Sequence, residues 1–428
     1  MKVAIIGGGM TGLTAGFRLS QAGHQVFIFE KENQLGGLAA GFKEKNWSWS
    51  AENFFHHFFT SDDSARRLIS DLSLADKIFY VRPKTSIFKN GKIAQFDSPF
   101  SLLTFPFLSS IDKLRAGLVT FYLKSKNDWR ALEKVTAQDW LKKFYGQKNY
   151  QLLWKPLLAA KFGLFSDQVS MAWFWARIKK RSSRLGYLQG GFQTLIDKLT
   201  EEIKNKNGKI IAKTEIKKIV IHDSKFIIRD SSGIHHSKFD TIIVTIPTPD
   251  FSKIKSFPAD YRKKLSKLEF VSALNLALVL TKKFLIDGTY WLNINEKDFP
   301  FVAVVEHTNF VDPKYYAKEH LLYVGGYYPQ NHRYFKMTKR EIFKEFLPYL
   351  KKINPKFHQL SAISYQLSAN LYAQPVILRN YSQVMPSMKT PIPNLYLANQ
   401  SLIYPWDRGV NYAIKLGEEV ALRFGGQA

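Results

Sequence analysis

Three of the four glycines within the first twelve residues constrain this chain more than anything that follows them. Gly7, Gly9 and Gly12 read GxGxxG, between a short apolar run, Lys2 to Ile6, and a helically periodic segment, Met10 to Ala22. A second apolar run, Gln25 to Glu30, alternates with polar residues and ends on an acid. Strand, glycine turn, helix and second strand in that order predict a βαβ unit. Each glycine has a mechanical reason. The first permits the tight turn, the second lets the backbone approach a pyrophosphate, and the third lets the helix pack closely on the strand. Free N–H groups at the helix start favour phosphate, and Glu30 is placed to accept hydrogen bonds from ribose hydroxyls. The prediction is a dinucleotide site built on Gly7, Gly9, Gly12 and Glu30.

Composition narrows the setting. A chain of 428 residues with 45% apolar and 15% aromatic content suits two or three packed lobes. No apolar run reaches the roughly 18–20 residues that span a bilayer. The apolar run near Met1 is too short for a signal peptide and no cleavage-like site follows, so a cytoplasmic protein is expected, with peripheral attachment to the inner membrane face as an extension of that reading. There is no cysteine, which excludes disulfides, thiolate metal sites, a cysteine nucleophile and a cysteine-tethered cofactor. The ten histidines show no HExxH spacing, and no metal is expected. The net charge of +27 concentrates between Arg82 and Arg184, ending in Arg177, Lys179, Lys180, Arg181 and Arg184. No nucleic-acid recognition motif is interleaved with it, so nucleic acid is not an expected partner. A lysine-rich compositional bias, an anionic membrane surface and a phosphate-bearing substrate stay open as explanations.

Further along, Ser64 to Leu74 reads as a helix, and Asn90-Gly91 marks a hairpin within Lys84 to Phe96. Helical periodicity runs from Ser109 to about Lys180, with breaks expected at Gly146, Pro156 and Gly163. Phe192 to Lys206 is an amphipathic helix stopped by Gly208. Strands are expected at 209–212, 216–221, 226–230 and 241–246, and Val271 to Leu280 reads as a buried strand. Lys339 to Lys351 is helical, Ala362 to Ala369 a strand, Leu395 to Ala398 a strand, and Val410 to Phe424 a closing helix. No repeat or low-complexity linker appears, so the nucleotide-binding pieces must be assembled from separated parts of the chain.

The segment Leu35-Gly36-Gly37-Leu38 after Glu30 and the fourth glycine, Gly16, resemble the fingerprint of the FAD superfamily of amine oxidases, protoporphyrinogen oxidase, phytoene desaturases and UDP-galactopyranose mutase. That resemblance implies FAD as cofactor, with Gly36, Gly37 and Leu38 near it. The family's doublet is commonly followed by arginine, where this chain has Leu38. Gln189-Gly190-Gly191-Phe192 resembles the family's second glycine-doublet helix, which leads to a strand near Ile216 that passes the adenine. Phe239 to Pro247 resembles a strand ending in a small residue and proline. Asn394 to Ala398 and Gly409 to Ala413 resemble the closing motif at the ribityl chain and flavin ring. Asn399 and Gln400 stand where an acid is usual, and Asp407 is a nearby substitute.

Flavin carries the redox chemistry in such proteins, so candidate residues are those able to line its face. Ala51 to His57 resembles a histidine-containing segment that approaches flavin in the mutases. His56 and His57 orient substrate, move a proton or stabilise reduced flavin on that reading; otherwise one hydrogen-bonds in the core and the other faces solvent. Glu52 is a solvated acid or a helix-dipole partner. In Tyr404 to Tyr412, Arg408 suits a carboxylate or phosphate, and Gly409 and Asn411 open a helix toward flavin's polar edge. The alternative is a capped helix with a surface Asp407–Arg408 pair. Tyr372 to Val376 and Arg379 border the pocket or belong to the scaffold. Gly325-Gly326 and Gly190-Gly191 lack the rest of a second fingerprint, which disfavours a pyridine-nucleotide reductase. Ser101 to Lys126, with Leu102, Leu103, Phe105, Ile111, Leu114, Leu118 and Phe121 beside lysines, is a membrane face, a substrate-tunnel wall or a helical core.

The fold is expected to be α/β. A discontinuous Rossmann-like FAD domain (1–75, 186–250 and 385–428) carries an inserted mixed-sheet substrate domain (76–100 and 251–384) and a helical lobe (101–185). The expected function is FAD-dependent oxidation or desaturation of a small apolar, amphipathic or phosphate-bearing molecule by hydride transfer. A redox-neutral sugar-nucleotide mutase is the alternative, and a non-catalytic flavoprotein the third reading.

Overall fold

A computed structural model of the protein describes residues 1–254, 257–358 and 362–426. Its organising element is a five-stranded, all-parallel sheet in the order Lys209–Ile211, Gln25–Phe29, Lys2–Ile6, Thr241–Val244, Leu395–Leu397. Numbered along the chain the order is 3-2-1-4-5, the doubly wound arrangement whose switch point lies between the first and fourth strands. Alternation explains why the central strand is wholly apolar. Val3 and Ile5 enter one core beneath the helices Met10–Gln21 and Phe192–Asn205, while Ala4 and Ile6 enter another beneath the opposite face. The closing helix, Val410–Leu422, lies so close to the first that a Cβ at Gly417 would stand 2.6 Å from the Thr11 carbonyl. Arg18 fastens the two helices, donating to Glu418 at 2.9 Å and to Asp71 at 2.6 Å.

The second large sheet is mixed and seven-stranded, drawn from residues 84–95 and 270–375. Phe270–Leu280 is buried along its whole length because both sheet faces are covered. The hairpin at Asn90-Gly91 forms as expected, between Lys84–Lys89 and Lys92–Gln95. Residues 78–81, assigned to the inserted domain by sequence, pair instead with Leu185–Leu188. Phe251, Ile254, Phe257 and Leu265 likewise pack on the parallel sheet and not on the mixed one. The strand expected over 362–369 continues to Pro375, passing an irregularity in its register against Val271/Ala273. A short polar edge strand, His235–Phe239, carries no apolar alternation that would have announced it.

Residues 110–180 form the helical lobe around Trp173, Trp175 and Tyr145. Pro156 does not break the helix as expected. A π-turn, Tyr150–Trp154, precedes it, and the Leu152 carbonyl that the proline leaves without a donor accepts from Asn295 Nδ2 at 2.8 Å. Part of the basic excess is also consumed here. Arg115 donates to the last carbonyls of Ala137–Phe144 at 2.6 and 2.7 Å, and Lys179 donates to Lys124 O at 2.6 Å, at the end of Ser110–Ser125. Cations at helix C-termini are favourable sites for such charge.

Residues 101–126 divide into a buried part and an exposed one. Phe105 is core, but Ile111, Leu114, Leu118 and Phe121 are 62–79% exposed along one face of the helix, as are Phe100 and Leu103 just before it. Among the described residues no helix is long and apolar enough to cross a membrane.

Candidate active site

The site begins where the central strand ends. Gly7 turns at φ +113°, and a Cβ there would stand 2.5 Å from Thr245 Oγ1. That hydroxyl donates to the Gly7 carbonyl at 3.0 Å and to Ile6 O at 3.1 Å, bridging the two strands of the switch point. At Gly12 a Cβ would collide with the Gly7 carbonyl. Gly9 differs: its Cβ would meet only Gly37 Cα, at 4.0 Å, so space lies open before it. No side chain caps the helix that starts there, and its first N–H groups are left for an anion to accept from. Open space, free N–H groups and a glycine at the approach fit a pyrophosphate.

Neighbouring segments brace this turn. Glu30 accepts from Gly8 N–H at 2.7 Å and from Glu32 N–H at 2.9 Å. Gly36 N–H donates to Gly8 O at 2.8 Å, tying the Gly36-Gly37 doublet to the glycine turn. Leu38 is half-buried in the 3₁₀ turn Gly37–Ala39 and brings no polar atom in place of the family's arginine. Thr214 N–H donates to the Glu30 carbonyl at 2.8 Å, which carries the chain past the acid to buried Ile216.

At the other end, four distant segments converge. Asn53 is held on the mixed sheet, its carbonyl accepting from Asn275 Nδ2 at 2.8 Å. Phe55 lies edge-on to Trp291, with centroids 4.6 Å apart. His56 Nδ1–H donates to the Phe54 carbonyl at 2.5 Å, which leaves Nε2 as an acceptor. Burial, with the nearby Arg408 charge adding to it, lowers its pKa to about 4 against the Phe54 bond. Burial, with Arg181, His56 and Arg177 adding to it, lowers His57 to about 3. Both rings are neutral at pH 7.

Arg408 is not half of a surface pair. Its Nε donates to buried Gln374 at 2.9 Å and its Nη2 to the Tyr327 hydroxyl at 2.9 Å. Burial raises the Tyr327 phenol, but Arg408 and Lys161 outweigh it and its pKa falls below the usual value. Asp407 turns the other way. Lys161 donates to its Oδ2 at 2.8 Å, Trp173 Nε1 to its Oδ1 at 3.0 Å, and Arg177 stands 3.6 Å off. Burial raises this carboxyl, yet Lys161 and Arg177 prevail and hold it at about 2. Both Asp407 oxygens are spent inside the protein, so the expected substitute for a ribityl-binding acid is engaged elsewhere. Asn399 is similarly occupied: Nδ2 donates to Ile246 O at 2.8 Å and to Thr248, and Oδ1 accepts from Ser401 N–H at 3.0 Å. Its side chain locks two strand ends together. Asn411 Oδ1 accepts from Ala65 N–H at 3.0 Å, while Gly409 stands exposed at the start of the closing helix.

Glu52 is no solvated acid. It is buried, accepts from Phe192 N–H at the first turn of a helix at 2.9 Å, and takes the Tyr187 hydroxyl at 2.7 Å. The helix-partner reading holds. Burial raises its pKa to about 7 against these bonds. Thr245, Tyr187, Lys161 and Tyr327 were not singled out by sequence. A lysine ending the apolar run Pro156 to Ala160 and followed by Phe162 was the available signal for Lys161.

The sequence pattern of the flavin containing amine oxidoreductases matches residues 10–423, and the chain belongs to that family. Its cofactor is FAD. The chain is similar to 15-cis-phytoene desaturase of Capsicum annuum, with 24% identity over 66% of this chain and 53% of that protein. It thus spans about half the length of the first curated relatives it matches. Among solved structures, an oxidoreductase from Methanosarcina mazei is similar with TM-score 0.76 and 21% identity, covering 98% of this chain and 99% of that one. Cyclohexylamine oxidase from Brevibacterium oxydans gives TM-score 0.74 at 14% identity, over 99% and 98% of the two chains. These likenesses carry the fold.

Proposed function

We propose that the protein is an FAD-dependent oxidoreductase of the oxidase or desaturase type, acting on a small apolar or amphipathic molecule. The observation that carries this reading is the composition of the reacting end. Phe55 and Trp291 form an aromatic wall beside His57, Phe192 packs 5.7 Å from His56, both histidines are neutral, and among the described residues there none is arranged as an activated nucleophile. The desaturase named among the relatives and the family membership support the same class. Bound FAD supplies the hydride acceptor. The protein then has three tasks. The glycine turn holds the dinucleotide, the aromatic walls exclude water and seat the substrate, and His56 Nε2 offers a lone pair to a proton at the reacting centre. In this division residues 1–75, 186–250 and 385–428 serve the cofactor, and the mixed sheet with the helical lobe serves the substrate.

The test is direct. Heat-released cofactor should run as FAD, and anaerobic addition of an oxidisable apolar substrate should bleach the visible flavin band. Turnover that requires added reductant and leaves the substrate's oxidation state unchanged would transfer the protein to the mutase class.

A second observation favours peripheral attachment to an anionic membrane. The exposed stripe Ile111, Leu114, Leu118 and Phe121 is flanked by half-buried Lys113 and exposed Lys124, the pattern of a helix lying in a lipid interface. Each lysine near such a surface adds about 1 kcal/mol. Liposomes containing anionic lipid should float the protein at low salt, and serine at Leu114 and Leu118 should abolish flotation. Equal flotation of that variant would discard the membrane reading.

A further inference from the structure

The charges around Asp407 do not balance. Lys161, Arg177 and Arg408 enter this neighbourhood from two helices and the C-terminal loop, and Asp407 is the one carboxylate recorded within 4.0 Å of any of them among the described residues. Lys161 and Asp407 are 9% and 19% exposed in their side chains, and Arg177 is 26% exposed. The flanking His56 and His57 are neutral, so nothing on that side offsets the cations. Two positive charges stand in excess in a largely desolvated place, an arrangement that is costly unless an anion completes it.

The donors also have room for one. Lys161 spends itself on Asp407 and lies 4.8 Å over the Trp173 ring. Arg408 uses Nε and Nη2 on Gln374 and Tyr327, and no partner is recorded for Nη1 among the described residues. Arg177 has one long contact, 3.6 Å to Asp407, and stacks its guanidinium over Trp173 at 6.0 Å. A planar fork with most of its N–H groups unspent, half-buried beside aromatic rings, is the chemistry that binds a carboxylate or phosphate with two parallel bonds. Asp407 then has a plain purpose: it holds Lys161 and Arg177 in place without neutralising the set.

We propose that Lys161, Arg177 and Arg408 form an oxyanion subsite beside His56 and His57, and that the substrate is an amphipathic acid whose carboxylate or phosphate is held there. This inference deepens the oxidoreductase reading and rests on it. The aromatic walls take the apolar part and the cations fix which end enters.

The experiment uses the FAD-loaded protein and four probes of equal chain length: octanoate, octyl phosphate, octanol and octylamine. Binding is read from perturbation of the visible flavin spectrum and, independently, by calorimetry. One or both anions should bind saturably, and at least about tenfold more tightly than octanol, as expected for charge-assisted hydrogen bonds. The stronger of the two identifies the headgroup. Arg177→Gln should weaken the anion by about tenfold and leave octanol unchanged. Inorganic phosphate should compete with the bound octyl anion in the unaltered protein, which keeps the test open where the variant fails to fold. Octanol or octylamine binding as tightly as the anions would overturn the subsite while leaving the amphipathic oxidoreductase standing. A purified protein that takes up no FAD would instead bring down the underlying reading.

Discussion

The glycine turn at residues 7–12 and the cluster around Arg408 both prepare for negative charge, but they are made of different material. At the turn the donors are backbone N–H groups, and side chains matter by their absence: a Cβ at Gly12 would collide with Gly7 O, while Gly9 leaves open space. At the cluster the groups are long side chains brought from residues 161, 177, 327 and 408, with Asp407 holding the first two and Gln374 and Tyr327 holding Arg408. The backbone site is fixed once the strand and helix form. The side-chain site exists only after the helical lobe, the mixed sheet and the C-terminal loop have docked. Substitutions should therefore act locally on affinity in the first and on chemistry and docking in the second.

The largest effect is expected at the reacting end. His56→Ala should retain FAD and lose about 10²–10⁴-fold in turnover, the usual cost of removing a positioned acid–base group. Phe192, whose ring is 5.7 Å from His56, gives a packing control: Phe192→Leu should cost stability more than rate. Equal turnover of His56→Ala and the parent enzyme would remove this histidine from the chemistry and blur the contrast between the two ends.

Docking is tested next, at Asp407. Replacing it with asparagine leaves Lys161 buried without its anion, and breaking such a pair costs about 3–5 kcal/mol. Its pH dependence has a definite sign. The folded pKa of about 2 lies below the ordinary aspartate value of about 3.9, so the stabilisation is complete above about pH 4 and fades as pH falls toward the folded value. Denaturant melts of Asp407→Asn should thus differ from the parent at pH 7 and converge with it near pH 2. A constant difference across that range would mean that the charge on Asp407 does not hold the lobe.

The contrast also explains what the sequence made legible. The nucleotide end is local: Gly7 to Glu30 carries its own turn, helix and acid, and the central strands of the parallel sheet follow from short apolar runs such as Val3 to Ile6 and Ile242 to Val244. The reacting end is not. Lys161 and Asp407 are 246 positions apart, and no periodicity links them. Arg408 was singled out because a loop so rich in functional groups is unusual, but which neighbour it would choose depends on Gln374 and Tyr327 arriving from another sheet. Glu52 shows the same limit. Its neighbours in sequence are compatible with exposure, and only the approach of Tyr187 and the Phe192 helix start buries it. Asn399 was expected at the ligand from its place in a motif, yet its amide is consumed by Ile246, Thr248 and Ser401.

Within the nucleotide end, two glycines separate folding from binding. Gly12→Ala forces a methyl group against the Gly7 carbonyl and should cost about 1–3 kcal/mol of stability, the range for overpacking. Gly9→Ala meets no protein atom closer than 4.0 Å, so the melting temperature without FAD should not move. FAD affinity should nevertheless fall about tenfold or more, through loss of charge-assisted bonds to the pyrophosphate. Calorimetry of the FAD-free proteins and titration with FAD measure the two effects separately. A destabilised Gly9→Ala would show that its open side is needed for folding.

The smallest effect sharpens the comparison most, because it concerns a side chain on which the backbone-built end relies. Glu30 accepts from Gly8 N–H at 2.7 Å and from Glu32 N–H at 2.9 Å. Glutamine keeps the shape and one acceptor oxygen, but its amide nitrogen must face the other N–H or turn away from it. One hydrogen bond is lost in a half-buried place, worth about 1 kcal/mol, and the Gly8 turn remains held by Thr245 and Gly36. Glu30→Gln should therefore weaken FAD by only about fivefold, the equivalent of that energy, and leave catalysis by the bound cofactor intact. The measurement is FAD titration beside turnover at saturating FAD. A loss as large as that of Gly9→Ala would mean that the carboxylate, and not the backbone, organises this end of the site.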